Sequence, residues 1–297
     1  MLFYRNYALV FQDTITDINF GMGLPPVLRK IDAFWGELTE QFSMTATLLT
    51  SAQITAFKRD GFLVVRQLFG VTEMKDISAW TNEVETWAET PGRHMMYFET
   101  SLKSERERIL NRLENFYPFH EGFRDLFDGN KLLAATSDLL GEDAVLYKDK
   151  INFKLPGGDG FELHQDQQAG WGTYADLFIT ALVSIDAATA ENGCLELVAG
   201  LHKAGMLGEE WKPMTEEDIA EKTLISCPTQ PGDVVFFDSY CPHGSGPNMS
   251  DGKRRVLYVT YNAASAGDHR EQYYADKRAS FPPDIERDPT KEYVFRV

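Results

Sequence analysis

The alternation of apolar and polar positions divides the chain near residue 144. Before it, amphipathic stretches with helical spacing alternate with short apolar runs. After it, runs rich in Val, Ile, Phe, Leu and Tyr follow one another between Gly, Pro, Asn and Asp turns, the pattern of successive strands. In the first part, Ser51 is placed to cap a helix running to Asp60, with Gly61 as its stop. Phe62 to Val65 reads as a strand. Thr72 is placed to cap a second helix reaching about Glu89, in which Trp80, Val84 and Trp87 recur at i, i+4 and i+7 and form one apolar face. Pro91-Gly92 ends it. Met95 to Phe98 predicts a strand, the charge run Ser104 to Arg108 a solvated face, and Lys131 to Leu140 a third helix stopped by Gly141.

In the second part, Val145 to Lys154 alternates, placing Lys148, Lys150, Asn152 and Lys154 on one face. That face is either solvated or a wall turned toward an anion, and the pattern does not choose. Leu177 to Ile185, Gly193 to Val198, Gly232 to Asp238 and Arg254 to Tyr261 predict further strands. Residues 206–223, rich in Glu, interrupt the series as a lid or a loop excursion. The prediction is a mainly β protein with flanking helices. Residues 1–43 show little sustained periodicity and read as a peripheral N-terminal extension, with a single domain over 44–297 and its strand-rich core at about 144–265.

The balance of 29 basic and 45 acidic residues gives a net charge of −16. Such a chain lacks the clustered cations that nucleic acid and anionic membranes require. A pocket with its own cations can still bind an anion. Cys194, Cys227 and Cys241 lack metal-ligand spacing and read as small buried hydrophobes. No apolar run is long enough to span a bilayer and no signal peptide is evident, so a cytoplasmic protein is expected.

Candidate chemistry concentrates at His164-Gln165-Asp166 and the distant His243. Two imidazoles and a carboxylate are the ligand set that holds non-haem Fe(II) on one side, leaving other positions open for substrate and oxygen. On a strand, His164 and Asp166 at i and i+2 face the same way. His243 follows a predicted strand, and Gly244 to Asn248 and Asp251-Gly252 supply turns before Arg254 opens the next. A guanidinium there can clamp a carboxylate at two points. A metal triad with a carboxylate clamp is the equipment of a 2-oxoglutarate-dependent oxygenase. The arrangement suits the mouth of a double-stranded β-helix, the jelly-roll architecture of the cupins.

These segments resemble the phytanoyl-CoA dioxygenase family of Fe(II)/2-oxoglutarate oxygenases. The resemblance rests on Leu163-His164-Gln165-Asp166, Asn192-Gly193-Cys194-Leu195, Gly200-Leu201-His202-Lys203, Pro231-Gly232-Asp233-Val234 and His243-Gly244-Ser245-Gly246-Pro247-Asn248 through Arg254. It covers roughly residues 46–265. It implies that His164, Asp166 and His243 bind iron and are the catalytic centre, and that Arg254 and Ser245 bind 2-oxoglutarate. Asn152 and Gln165 are further candidates for that pocket. The Gly200 to Lys203 turn is structural in the family, so His202 is not assigned to iron. The retained Asp166 favours hydroxylation over halogenation, because related halogenases lack this carboxylate.

Gln167, Trp171, Tyr174 and Lys150 are the candidate substrate contacts. The substrate is expected to be a small polar metabolite, such as 2-aminoethylphosphonate or another organophosphonate, a compatible solute or a natural-product scaffold. Two other readings stay open: a cupin-like metalloenzyme independent of 2-oxoglutarate, and a non-catalytic metal-binding jelly roll. His94 and His120 read as structural or surface groups.

Overall fold

The structure, a computed structural model, describes residues 47–220 and 222–293. The expected extension 1–43 lies outside them. The first helix, α1 (Ser51–Asp60), begins one residue earlier than the sequence suggested. Thr50, not Ser51, is its cap: Thr50 Oγ1 accepts from Gln53 N while Gln53 reaches back to Thr50 N. Gly61 ends it at φ 83°, a conformation that favours glycine. Strand β1 (Phe62–Val65) follows, then α2 (Val71–Glu85), shorter than predicted. Its cap is Gly70, whose N–H donates to Glu73 Oε2, in place of Thr72. Val84 is fully buried, and Trp80 and Trp87 pack against the same core.

Strands β2 (Met95–Ser101) and β3 (Ser104–Glu114) form a hairpin. The charge run is the exposed outer half of β3, as expected, but the strand continues inward to Arg112 and Glu114, both buried. Helices α3 (Glu121–Phe127) and α4 (Asn130–Leu140) lead to β4 (Ala144–Lys154). The remaining strands are β5 (Phe161–His164), β6 (Phe178–Ser184), β7 (Leu195–Leu197), β8 (Ile225–Cys227), β9 (Val234–Asp238), β10 (His243–Ser245) and β11 (Arg254–Ala263). Helix α5 (Arg270–Ser280) closes the described chain. No helix among the described residues is long and apolar enough to cross a membrane.

Two antiparallel sheets form the jelly roll. The larger runs β1-β9-β6-β11-β4-β3-β2 and the smaller β5-β10-β7-β8. The larger sheet therefore takes in β1, β2 and β3, which precede residue 144. Its strands β6 and β9 are buried on both faces because both are covered. Ile179, Ala181 and Val183 of β6 pack with Phe123, Phe127, Leu132 and Ala135 of the helices. The alternate residue Leu182 joins Val235, Phe237 and Val256 against Leu195, Leu197 and Cys227 of the smaller sheet. The functional residues lie where this inner core stops and polar side chains take over.

Candidate active site

His164 ends β5 and His243 opens β10, and the two are directly paired across the ladder. Their ring centroids lie 4.3 Å apart. Each is aimed by its own backbone: His164 Nδ1 lies 2.7 Å from Glu162 O and His243 Nδ1 lies 3.0 Å from Cys241 O. A carbonyl can only accept, so Nδ1 carries the proton and the Nε2 lone pair faces inward. Asp166 arrives by a route the sequence did not indicate. The strand ends at His164, and a 3-10 turn over Asp166–Ala169 delivers the carboxylate. Its Oδ1 lies 4.0 Å from each Nε2. Thr180 Oγ1 donates to Asp166 Oδ2 at 3.3 Å and pairs with Thr260 Oγ1 at 2.9 Å, fixing the carboxylate from the large sheet.

The donor set fits a divalent iron: one ligand atom from each of the three residues lies within 4.8 Å of the other two. Burial, then the neighbouring His243, lowers His164 to about 3, and burial likewise lowers His243, so both imidazoles keep their lone pairs. Burial pushes Asp166 up, but the neighbouring His243 and His164 with Lys150 and Lys148 outweigh it and hold it below its usual range. The site is thus ready for a metal without first losing protons at neutral pH.

Beside the triad, Arg254 opens β11 opposite Lys154 of β4. Arg254 is 1% exposed, and its Nε and Nη1 have no hydrogen-bond partner. A buried guanidinium with unmatched donors is a site prepared for an acceptor. Lys154 Nζ donates to Ser245 Oγ at 2.8 Å. Burial, then the charge of Arg254, lowers this lysine to about 7. Arg254, Lys154 and Ser245 therefore make a cationic recess suited to one end of a dicarboxylate. Asn152, one alternation along β4, is 2% exposed with an unpartnered Oδ1 and lines the adjoining cavity. Gly193 braces the loop after Ser245. At φ 73°, a Cβ there would lie 2.1 Å from Gly246 O, so only glycine fits.

The triad opens into a cavity of about 1170 Å3. Lys148 and Lys150 line it, which answers the question the alternation left open: the lysine face points inward. Trp171 and Tyr174 line it as expected. Two expected contacts are elsewhere. Gln165 is fully buried, its Nε2 donating to Gly205 O and Tyr240 O while its Oε1 accepts from Leu207 N. Gln167 is 3% exposed and donates to Asp176 O and Tyr240 Oη. The amide of Gln165 is occupied with backbone and the Nε2 of Gln167 with backbone and Tyr240 Oη, Gln167 Oε1 being buried without a partner; neither residue lines the cavity, because the 3-10 turn rotates them away from it.

Gln165 instead works with Gln168, which donates to Glu209 O and Lys212 O, to fasten residues 205–212 to the Asp166 turn. This brings Glu210, Trp211 and Pro213 of the insertion to the cavity rim. His202 packs over Gly61, away from the triad. His94 stacks on Trp87, and His120 caps α3 through Phe123 N.

The sequence reading missed Arg112 and Glu114 on β3, Thr180 and Thr260, and Tyr273 and Lys277 on α5. Arg112, the threonines, Tyr273 and Lys277 line the cavity. The strand alternation extended past the charge run would have flagged Arg112 and Glu114. Helix α5 carries too few apolar residues to be seen by periodicity.

A jelly roll with a His-Asp-His site and a buried carboxylate recess is the form of a non-haem iron, 2-oxoglutarate-dependent oxygenase. The profile described as Phytanoyl-CoA dioxygenase (PhyH) matches residues 57–256, and the chain belongs to this family. Among curated proteins it is 42% identical over 245 residues to a 2-aminoethylphosphonate dioxygenase from the uncultured bacterium HF130_AEPn_1, covering 82% of this chain and 93% of that one. It is 39% identical over 237 residues to a methylphosphonate hydroxylase of Gimesia maris, covering 79% and 89%. Among solved structures, EctD from S. alaskensis with 2-oxoglutarate and 5-hydroxyectoine superposes with a TM-score of 0.64 at 21% identity, over 75% of this chain and 79% of that one. The chain is an Fe(II)- and 2-oxoglutarate-dependent dioxygenase.

Proposed function

We propose that this enzyme hydroxylates a C–H bond of a small organophosphonate, 2-aminoethylphosphonate being the first compound to test. The observation that carries the substrate class is the inward lysine face of β4. Lys148 and Lys150 line the cavity, and neither has a carboxylate at ion-pair distance among the described residues. The co-substrate recess has its own cations in Arg254 and Lys154, so these further ammonium groups call for a second anion. The names of the relatives at 42% and 39% identity support the same class.

In this reading His164, Asp166 and His243 hold the iron. Arg254, Ser245 and Lys154 hold the far carboxylate of 2-oxoglutarate, with Asn152 beside it. Bound iron and co-substrate supply the oxidising power, coupling decarboxylation of 2-oxoglutarate to insertion of oxygen into the C–H bond. The protein supplies position and dryness. The backbone-bonded imidazoles and the Thr180-held carboxylate fix the ligand set, the lysines orient the substrate anion, and Trp171, Tyr174 and the 205–213 segment limit water at the rim. A cytoplasmic location belongs to the same proposal and is supported by three buried free cysteines.

The test is substrate-stimulated conversion of 2-oxoglutarate to succinate with Fe(II) across a metabolite panel. Stimulation by 2-aminoethylphosphonate or methylphosphonate, with the hydroxylated product seen by mass spectrometry, is expected. Stimulation by ectoine or an acyl-CoA alone refutes the substrate class.

A further inference from the structure

The lysine face of β4 does not act alone at its far end. Lys148 is 9% exposed. Its Nζ lies 5.2 Å from the Trp171 ring centroid and 5.4 Å from that of Tyr273. Lys277 Nζ lies 5.8 Å from the same centroid and 3.5 Å from Tyr273 Oη. Lys277 donates to Glu114 Oε2 at 2.6 Å, and Arg112 Nε lies 3.3 Å from Glu114 Oε1. Glu114 is fully buried. Lys148 is not at ion-pair distance from Glu114, but its charge acts on that carboxylate together with those of Lys277, Arg112 and Lys150, so one buried carboxylate is shared by four cations. Two lysines thus lie against one aromatic ring, one of them without an ion-pair partner among the described residues, in a cavity wall.

The sheet register sets this cluster beside the metal ligands and away from the co-substrate recess. Lys148 pairs with Thr260, and Thr260 with Thr180, the two threonines that hold Asp166. Lys154, in the recess, is six residues along the same strand, roughly 20 Å at about 3.3 Å per residue. One molecule of 2-oxoglutarate cannot serve both. The chemistry of the two ends also differs. A planar guanidinium fork at Arg254 matches a flat carboxylate. Compact ammonium groups suit a tetrahedral oxyanion, which needs charge but no planar partner. Trp171 and Tyr273 exclude water and so strengthen that attraction.

We infer that Lys148 and Lys277, both set against Tyr273 and with Lys277 held in place by Glu114, form the subsite that binds the phosphonate group of the substrate. The inference rests on the organophosphonate reading for the identity of the group, and on the structure alone for the location of an oxyanion site. Lys148 is a substrate-contacting residue in this assignment, whereas Glu114 is a positioning residue. The subsite draws on β4, β3 and α5 together, and so makes the C-terminal helix part of the specificity machinery.

The experiment holds the full-length chain anaerobically with Fe(II) and 2-oxoglutarate and titrates it with methylphosphonate by calorimetry. Lys148→Gln removes no ion pair among the described residues and is expected to fold normally. It should raise the methylphosphonate Kd roughly tenfold or more, as loss of a charge-assisted contact does. Binding of 2-oxoglutarate should stay within about twofold, and Lys148→Arg should recover part of the loss. Lys277→Gln, checked for retained Tm, should act in the same direction.

Tight methylphosphonate binding that Lys148→Gln leaves unchanged overturns the subsite while the substrate class stands. A wild-type chain that binds neither methylphosphonate nor 2-aminoethylphosphonate, yet binds sulfate in a Lys148-dependent way, overturns the substrate class and upholds the oxyanion site. Binding of none of these anions overturns both.

Discussion

At the scale of single residues, most of the site is a matter of which hydrogen bonds are already made. His164 and His243 spend Nδ1 on carbonyls, so each has one nitrogen left for a metal. Gln165 spends both ends of its amide on backbone and Gln167 spends its Nε2, and both side chains lie outside the cavity. Arg254 spends nothing on two of its nitrogens. Removal of Asp166 should therefore abolish iron retention and turnover together, measured as bound iron after desalting and as succinate formed. Undiminished turnover in Asp166→Ala at low iron would contradict the assignment. Arg254→Ala should raise the KM for 2-oxoglutarate by about 30- to 100-fold, the ~2–3 kcal/mol expected of a desolvated charge-assisted contact, with iron content unchanged.

The pH dependence of co-substrate binding follows from Lys154, which titrates at about 7 in the empty recess. A carboxylate beside it favours the protonated form, so its pKa is higher in the complex than in the empty site. Affinity for 2-oxoglutarate is then complete below pH 7 and falls as pH rises above 7. Binding at pH 8 should take up a proton, which calorimetry in buffers of different ionisation enthalpy reads directly. Binding that releases protons or ignores pH between 7 and 8 would exclude Lys154 from the recess.

At the scale of elements, the informative feature is how the insertion is tied to the ligand turn. Gln168 caps the turn that carries Asp166 and, through Glu209 O and Lys212 O, holds the segment bearing Trp211 at the rim. Gln168→Ala should free that segment while leaving the triad in place. Iron content should persist, Trp211 fluorescence should shift toward solvent, and more 2-oxoglutarate should be consumed per product formed, because a wetter site lets decarboxylation run uncoupled. Coupling and fluorescence both equal to wild type would show that the segment closes by other contacts. The sequence announced the insertion as a lid or a loop, but Gln165, which anchors it together with Gln168, looked like a pocket residue. Their spacing from His164 was legible; the direction of a 3-10 turn was not.

At the scale of the whole molecule, an acidic chain turns the lysine face of β4 into its cavity, and α5 is held onto the large sheet by buried charge. Asp149, fully buried on the opposite face of β4 from the lysines, accepts from Phe116 N, Tyr117 N and Tyr274 Oη and pairs with Arg270 Nη2 at 2.7 Å. Asp149→Ala strands Arg270, and breaking such a pair costs on the order of 3–5 kcal/mol. A fall in Tm of roughly 10 °C is expected, together with weaker substrate binding as Tyr273 and Lys277 lose their place. An unchanged melting profile would mean that aromatic packing alone seats the helix.

What the sequence determined by itself was local or repeated. The strands β4, β6, β9 and β11 were visible because a doubly covered or alternating strand writes its burial into two-residue periodicity. The triad and Arg254 were visible because metal and carboxylate chemistry demands few residue types in a fixed order, and Ser245 because its segment resembles the family's. The tertiary structure decided what depends on partners distant in the chain: that the lysine face of β4 points inward, that Lys154 joins Arg254, that Gln165 and Gln167 turn away, and that Arg112, Glu114, Tyr273 and Lys277 converge on one wall. A side chain's chemistry is written in its type, but its neighbours are set by sheet register and helix docking, and no local pattern in the chain records those.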